Sequence, residues 1–230
     1  IVGFVVGSMS IGLGAMGQPH LLTRFMSLKS GKNIRTAQAI ALSSYAICMI
    51  GMITLGMSGK IMIFEISNQE DIFFVLTDNL LPVVFGGIMV AAILSAVLST
   101  ADSQLLVSAS SVAHDLMGEP DQGQNRLLVS RIVIGILCFF AVIIAIFLPS
   151  DIFSRVLFAW NALGASIGPV VIMRLSNVQL NPKAILPAMV IGFSLTIVFF
   201  LLPDGPGDYM ERTIPFILAL AILFITRKKL

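Results

Sequence analysis

Long apolar blocks alternate along the chain with short polar or charged stretches. Seven blocks stand out, at about 1–23, 37–59, 81–113, 128–148, 152–173, 184–202 and 213–226. A helix needs about 20 mostly apolar residues to cross a bilayer, so the pattern predicts seven transmembrane helices. The last block is short, and the third is long enough to project beyond the bilayer. The blocks are too long, and too free of two-residue alternation, for a β-barrel.

The first block is the least regular. Its stretch GSMSIGLGAMGQPHLLTRF, residues 7–25, contains Gly7, Gly12, Gly14 and Gly17 and then Pro19. Glycine lets a helix unwind, and proline removes a backbone N–H. Within a membrane a broken helix is tolerated where it borders protein or a cavity, and transporters bind polar solutes at such breaks. The alternative is close helix packing through small residues. A discontinuous helix is the expectation here. His20 reads as a packed or interfacial histidine rather than a base.

Composition supports the membrane reading. Hydrophobic residues make up 57% of the 230 and charged residues 11%, against roughly 45–50% and 25% in soluble domains. An all-α polytopic membrane protein is therefore expected. Cys48 and Cys138 sit alone in apolar runs and read as small buried hydrophobes, with no disulfide or metal. The chain opens at Ile1 without a signal-peptide pattern, which predicts a fragment of a longer protein with part of a site outside it.

Charge fixes the expected orientation. Seven crossings place Arg24, Lys29, Lys32, Arg35, Arg126, Arg131, Arg174, Lys183, Arg227, Lys228 and Lys229 on one side. Only Lys60, Arg155 and Arg212 fall on the other, together with most acidic residues, among them Glu65, Asp151 and Glu211. The basic side is expected to be cytoplasmic, so the C-terminus lies inside a multi-pass protein of the plasma membrane. Residues 58–79 form an acidic connection with Phe64, Phe73 and Phe74. It reads either as a solvated loop or as a short helix over an outward-facing cavity. DGPGDY, 204–209, reads as a tight turn.

Two further blocks carry polar chemistry. In AAILSAVLSTADSQLLVSASS, 91–111, a rotation of about 100° per residue places Ala96, Ser99, Thr100 and Ser103 on one face. Hydroxyl and carbonyl oxygens at that spacing form part of a cage for Na⁺, which loses its water only where oxygens replace it. Helix packing and bonding to the helix's own carbonyls are the competing reading. Asp102, the one acid placed within a span, reads as a second cation ligand or proton site, or as a charge solvated in a cytoplasmic vestibule. In FAWNALGASIGPVV, 158–171, Gly164, Gly168 and Pro169 are expected to bend the helix and admit a close neighbour. Trp160 and Asn161 line an outer gate, or act as an interfacial Trp beside a packing pair of glycines.

The stretches GLGAMGQPHLLTRFM, AAILSAVLSTADSQLLVSAS and WNALGASIGPVV together resemble the sodium/solute symporter family, most of all its sodium/proline branch. The LST-x-x-SQLLVS segment is the most specific part. The resemblance implies a LeuT-type inverted-repeat transporter fold within a single transmembrane domain over 1–230. Residues 1–173 would be the second five-helix repeat and 174–230 peripheral helices. It assigns sodium to the Ala96 carbonyl and the Ser99 and Thr100 hydroxyls, with the remaining ligands on a helix that precedes this chain. It places a second cation or proton site at Asp102 and Ser103, where the sodium/proline pattern has a serine in place of Asp102. It places solute contacts at Ile11, Gly12, Gly14, Ala15, Gln18 and Pro19, with Ile11 and Ala15 standing where that branch has Trp and Tyr.

The implied function is sodium-coupled import of a small organic solute, proline or another amino acid or small carboxylate. Na⁺, the solute, the bilayer and the missing N-terminal half are the partners, with no cofactor beyond the coupling ion and no nucleic acid. The rivals are a symporter-like sensor module of a signalling protein, a channel and a membrane enzyme. The last is disfavoured because no span pairs a nucleophile with a base or His with Glu.

Overall fold

The computed structural model describes residues 2–27, 34–63, 68–113, 124–147, 151–202 and 209–227. Lys29, Lys32, Phe64, Glu65, Lys228 and Lys229, and all but Tyr209 of the expected 204–209 turn, lie outside those residues. The described residues form helices α1 (Val2–Ala15), α2 (Pro19–Met26), α3 (Ile34–Met62), α4 (Ile72–Leu80), α5 (Val83–Ser111), α6 (Gln124–Phe147), α7 (Ile152–Leu175), α8 (Pro182–Phe200) and α9 (Tyr209–Ile225). No strand occurs among them. Five helices are long and apolar enough to cross a membrane: α3, α5, α6 (over Leu127–Phe147), α7 and α8. The first expected span is divided between α1 and α2, and the last is the 17-residue α9. At 1.5 Å per residue the 29-residue α5 runs about 43 Å, longer than a bilayer core of about 30 Å.

The helix ends follow local chemistry. Asp151 caps α7 by accepting from the Ser154 N–H at 3.2 Å, and Asn181 caps α8 by accepting from Lys183 N–H at 3.1 Å, with Pro182 in the first turn. Asn177, at φ 56°, ends α7. The Val178 N–H reaches the Met173 carbonyl and the Asn177 N–H the Arg174 carbonyl, both at 3.1 Å. This is the Schellman arrangement, with Val178 packed against the buried cluster to which Met173 belongs.

The chain divides into two compact units. The first holds α1, α2 and α7 to α9. Its core gathers Met173, Leu180, Ala188 and Leu223, and small residues set its helix spacing. A side chain at Gly168 would meet the Phe216 ring of α9, and one at Gly192 of α8 would meet the Ala165 carbonyl of α7. Pro169 removes the N–H that would otherwise bond that carbonyl, so α8 approaches α7 where α7's own ladder is open. α7 thus stays one helix, and its glycines admit close neighbours as expected.

The second unit holds α3 to α6. The 58–79 connection contains a helix, α4, preceded by a 3-10 turn over Gln69–Asp71 that Asn68 caps. α4 rests on α3, where Ile72 covers Gly59, and α3, α4 and α5 line an open groove of about 460 Å³ that includes Thr54, Leu55, Phe73, Leu76 and Met89. A short helix is thus present in the described part of this connection. Cys48 and Cys138 correct one expectation: both are exposed rather than buried. They sit on α3 and α6, where no residue of the most apolar stretch is buried within the unit.

Candidate functional site

The expected break in the first span lies at Met16, Gly17 and Gln18. Their N–H groups reach back three residues instead of four, to Leu13, Gly14 and Ala15 at 3.2, 3.2 and 3.3 Å. A new helix then starts, with the Gln18 carbonyl accepting from Leu21 and Leu22 at 3.1 Å and Pro19 in the first turn. The break is held against α7 by side-chain hydrogen bonds to backbone. Gln18 Nε2 donates to the Gly14 carbonyl at 3.3 Å and to the Trp160 carbonyl at 3.2 Å. Trp160 Nε1 donates to the Ile11 carbonyl at 3.0 Å.

Contact here is backbone against backbone. A Cβ on Gly17 would lie 2.6 Å from Gly164 Cα, and one on Gly164 would lie 2.5 Å from Gly14 Cα. The stripe Gly7, Ser10, Gly14 and Gly17 is buried. Its spacing of three and four residues is that of one helix face. Packing and breaking, the two readings of these glycines, are thus both realised. The candidate solute residues divide accordingly. Gly14 and Gln18 are buried in the contact with α7, Ile11, Ala15 and Pro19 are half-buried, and Gly12 faces open space. His20 is buried in α2, as the packed reading expects.

The candidate ion face lies in the other unit, on α5. Thr100 Oγ1 donates to the Ala96 carbonyl at 3.2 Å, so a hydroxyl and a carbonyl oxygen stand side by side. Ser103 Oγ donates to the Thr100 carbonyl at 2.8 Å, with the Ser99 carbonyl 3.1 Å away. Ala96, Ser99, Thr100 and Asp102 are exposed and Ser103 half-buried. The helical spacing brings these oxygens onto one stretch of α5 whose surface is largely exposed within the unit.

A further group of polar residues escaped the sequence reading. Ser10 of α1, Asn161 of α7, and Glu211, Arg212 and Thr213 of α9 are joined by hydrogen bonds across helices. Asn161, a candidate gate residue in the sequence, donates to Glu211 Oε1 at 2.9 Å. Ser10 carries a signal as the single polar member of the small-residue stripe.

These helices define an all-α polytopic membrane protein with a discontinuous helix, an architecture of the membrane-transporter class. Residues 2–192 match the model of the Sodium:solute symporter family, and the chain belongs to that family. It is 34% identical over 210 residues to sodium/proline symporter 2 of Staphylococcus saprophyticus and 32% identical over 207 residues to the sodium/proline symporter of Staphylococcus aureus. It is 28% identical over 203 residues to the osmoregulated proline transporter OpuE of Bacillus subtilis. Each alignment covers 85% of this chain, which spans only 40–41% of the length of these relatives. No solved structure matches the chain.

Proposed function

We propose that the chain is part of a sodium-coupled symporter that imports a small organic solute by alternating access. The solute class is proline or another amino acid or small carboxylate. The observation that carries the reading is the oxygen-lined face of α5, in a chain whose family and relatives are sodium symporters. The Ala96 carbonyl and the Ser99 and Thr100 hydroxyls supply part of a sodium shell, and a helix outside this chain supplies the rest. Asp102 and Ser103 provide a second cation or proton site less than a turn further on. Ile11, Gly12, Ala15 and Pro19 present the broken helix to the solute, while Gly14 and Gln18 hold the break in shape.

Sodium binding ties α5 to its partner helix and favours the conformation that binds solute. Each ligand thereby raises the other's affinity by the same factor. Residues 1–173 make up one inverted repeat of a LeuT-type fold and 174–230 its peripheral helices. The protein lies in the plasma membrane with its C-terminus in the cytoplasm, as its basic residues direct.

The test is radiolabelled proline uptake by the full-length protein in proteoliposomes, with and without an inward sodium gradient. Unlabelled amino acids, short carboxylates and sugars serve as competitors. Sodium-driven uptake is expected, and Ser99→Ala with Thr100→Ala is expected to abolish its sodium dependence. Unchanged sodium dependence in the double variant refutes the ion site, and the absence of sodium-driven flux of every solute refutes the symporter.

A further inference from the structure

Three consecutive residues at the start of α9 reach two other helices. Glu211 Oε1 accepts from Asn161 Nδ2 of α7 at 2.9 Å. Arg212 Nη1 donates to the Gly7 carbonyl of α1 at 3.4 Å. Thr213 Oγ1 lies 2.8 Å from Ser10 Oγ of α1. A hydroxyl has one proton, and that of Ser10 goes to the Val6 carbonyl at 2.7 Å. Thr213 is therefore the donor to Ser10. Ser10 and Asn161 are both buried, so each hydrogen bond satisfies a polar group removed from solvent.

α1 is consequently held in two different ways. Near the break, Gly17 meets the backbone of α7 at Leu163 and Gly164, and Gly14 meets Gly164 and the Trp160 ring. One turn before Gly14, at Ser10, the grip is a side-chain hydrogen bond that single rotamer changes make or break. Ile11 and Gly12, candidate solute contacts, lie between these two grips. The α9 contact, together with the Trp160 Nε1 bond to the Ile11 carbonyl, thus helps set the orientation of the segment that presents them.

We propose that Thr213, acting through Ser10, is a positioning residue for solute binding. Glu211 sets α9 against α7 through Asn161 in the same arrangement. The inference rests on the symporter reading above, and it gives the last helix a part in transport that its peripheral place in the chain does not suggest.

The experiment is a double-mutant cycle in the full-length protein, read as sodium-driven uptake of radiolabelled proline, or of the solute that replaces it in the competition screen. Thr213→Val keeps the side-chain shape and removes the hydroxyl. It is expected to raise the half-saturating solute concentration about 3- to 10-fold, the scale of one hydrogen bond. Thr213→Ser is expected to retain the wild-type value. Ser10→Ala is expected to match Thr213→Val, and the double variant to be no worse than either.

Fold-changes that multiply in the double variant overturn the proposal. So does an unchanged half-saturation with a lowered thermal midpoint, which marks a merely structural residue. If the wild-type protein drives no solute with sodium, the symporter reading fails, and the contact is then judged separately. Ser10→Cys with Thr213→Cys, in a background with the native cysteines replaced, is expected to form a disulfide on oxidation. No disulfide overturns the proposed contact whatever the transport result.

Discussion

The two units differ in how far their polar and small residues reach beyond their own helix. In the unit of α1, α2 and α7 to α9, side chains bond across helices: Trp160 to Ile11, Gln18 to Trp160, Thr213 to Ser10 and Asn161 to Glu211. In the unit of α3 to α6, Ser43, Thr54, Thr100 and Ser103 bond to carbonyls of their own helix. Apart from Gly12 and Gly59, the glycines follow the same tendency. Gly14, Gly17, Gly164 and Gly192 press on neighbouring backbone, whereas a side chain at Gly51, Gly56, Gly87 or Gly135 would meet nothing within 4 Å. None of the most apolar stretch of α3, α5 or α6 is buried, against 39% of that of α7. A small or hydroxylated residue in an apolar helix therefore has no fixed meaning. Where it meets another helix it sets spacing; where it does not, its oxygens stay accessible to a ligand or to chain from outside the unit.

The same substitution at two glycines tests this most severely. Gly164→Ala places a methyl group on the backbone of α1, and overpacking of this kind costs about 1–3 kcal/mol. Gly135→Ala meets open space and is expected to stabilise α6 by up to about 1 kcal/mol. Thermal unfolding of the chain in detergent should move in opposite directions, and parallel shifts would break the comparison.

Removing one polar side chain from each unit is the next test. Gln18→Ala withdraws the donor shared by the Gly14 and Trp160 carbonyls inside a buried contact, a loss of about 1–3 kcal/mol. Thr100→Ala removes a bond confined to one exposed helix face and is expected to change stability by about 0.5 kcal/mol or less. Its effect should appear in sodium dependence instead. A large stability loss at Thr100 would mean that its hydroxyl has a structural role like that of Gln18.

The smallest effect belongs to Asp151, the exposed cap of α7. Hydrogen bonds from the Ser154 side chain, then from backbone N–H groups, with a lesser contribution from nearby Arg155, hold its carboxyl below the usual carboxylate range. A lowered carboxyl pKa stabilises the folded state above the ordinary value near about 3.9, and the contribution is lost as pH falls through the lower folded value. Asp151→Ala should therefore lower the melting midpoint slightly at neutral pH, and the difference from wild type should close in acid. A gap that persists at low pH would mean that the cap does not act through the charged carboxylate.

The discontinuity at Met16 to Gln18 was legible because glycine and proline act on the backbone wherever they stand. The same holds for the oxygen-bearing face of α5, since helical geometry alone aligns Ala96, Ser99 and Thr100. Cys48 and Cys138 were misplaced for the converse reason: an apolar run does not say whether protein covers it. Glu211 and Arg212 looked like ordinary residues at a helix mouth, and nothing near them in the chain points to Asn161 or Gly7.

What the sequence determined by itself was local: the apolar blocks, their breaks and caps, and the family signature. Backbone torsion, helical periodicity and transfer from water act over a few residues, so neighbours along the chain suffice to reveal them. What only the tertiary structure decided was which faces meet: Gly164 on Gly14, Trp160 on Ile11, Thr213 on Ser10. Those pairs lie some 150 to 200 positions apart, and a hydrogen bond or a backbone contact of 3 Å depends on where folding brings its partners.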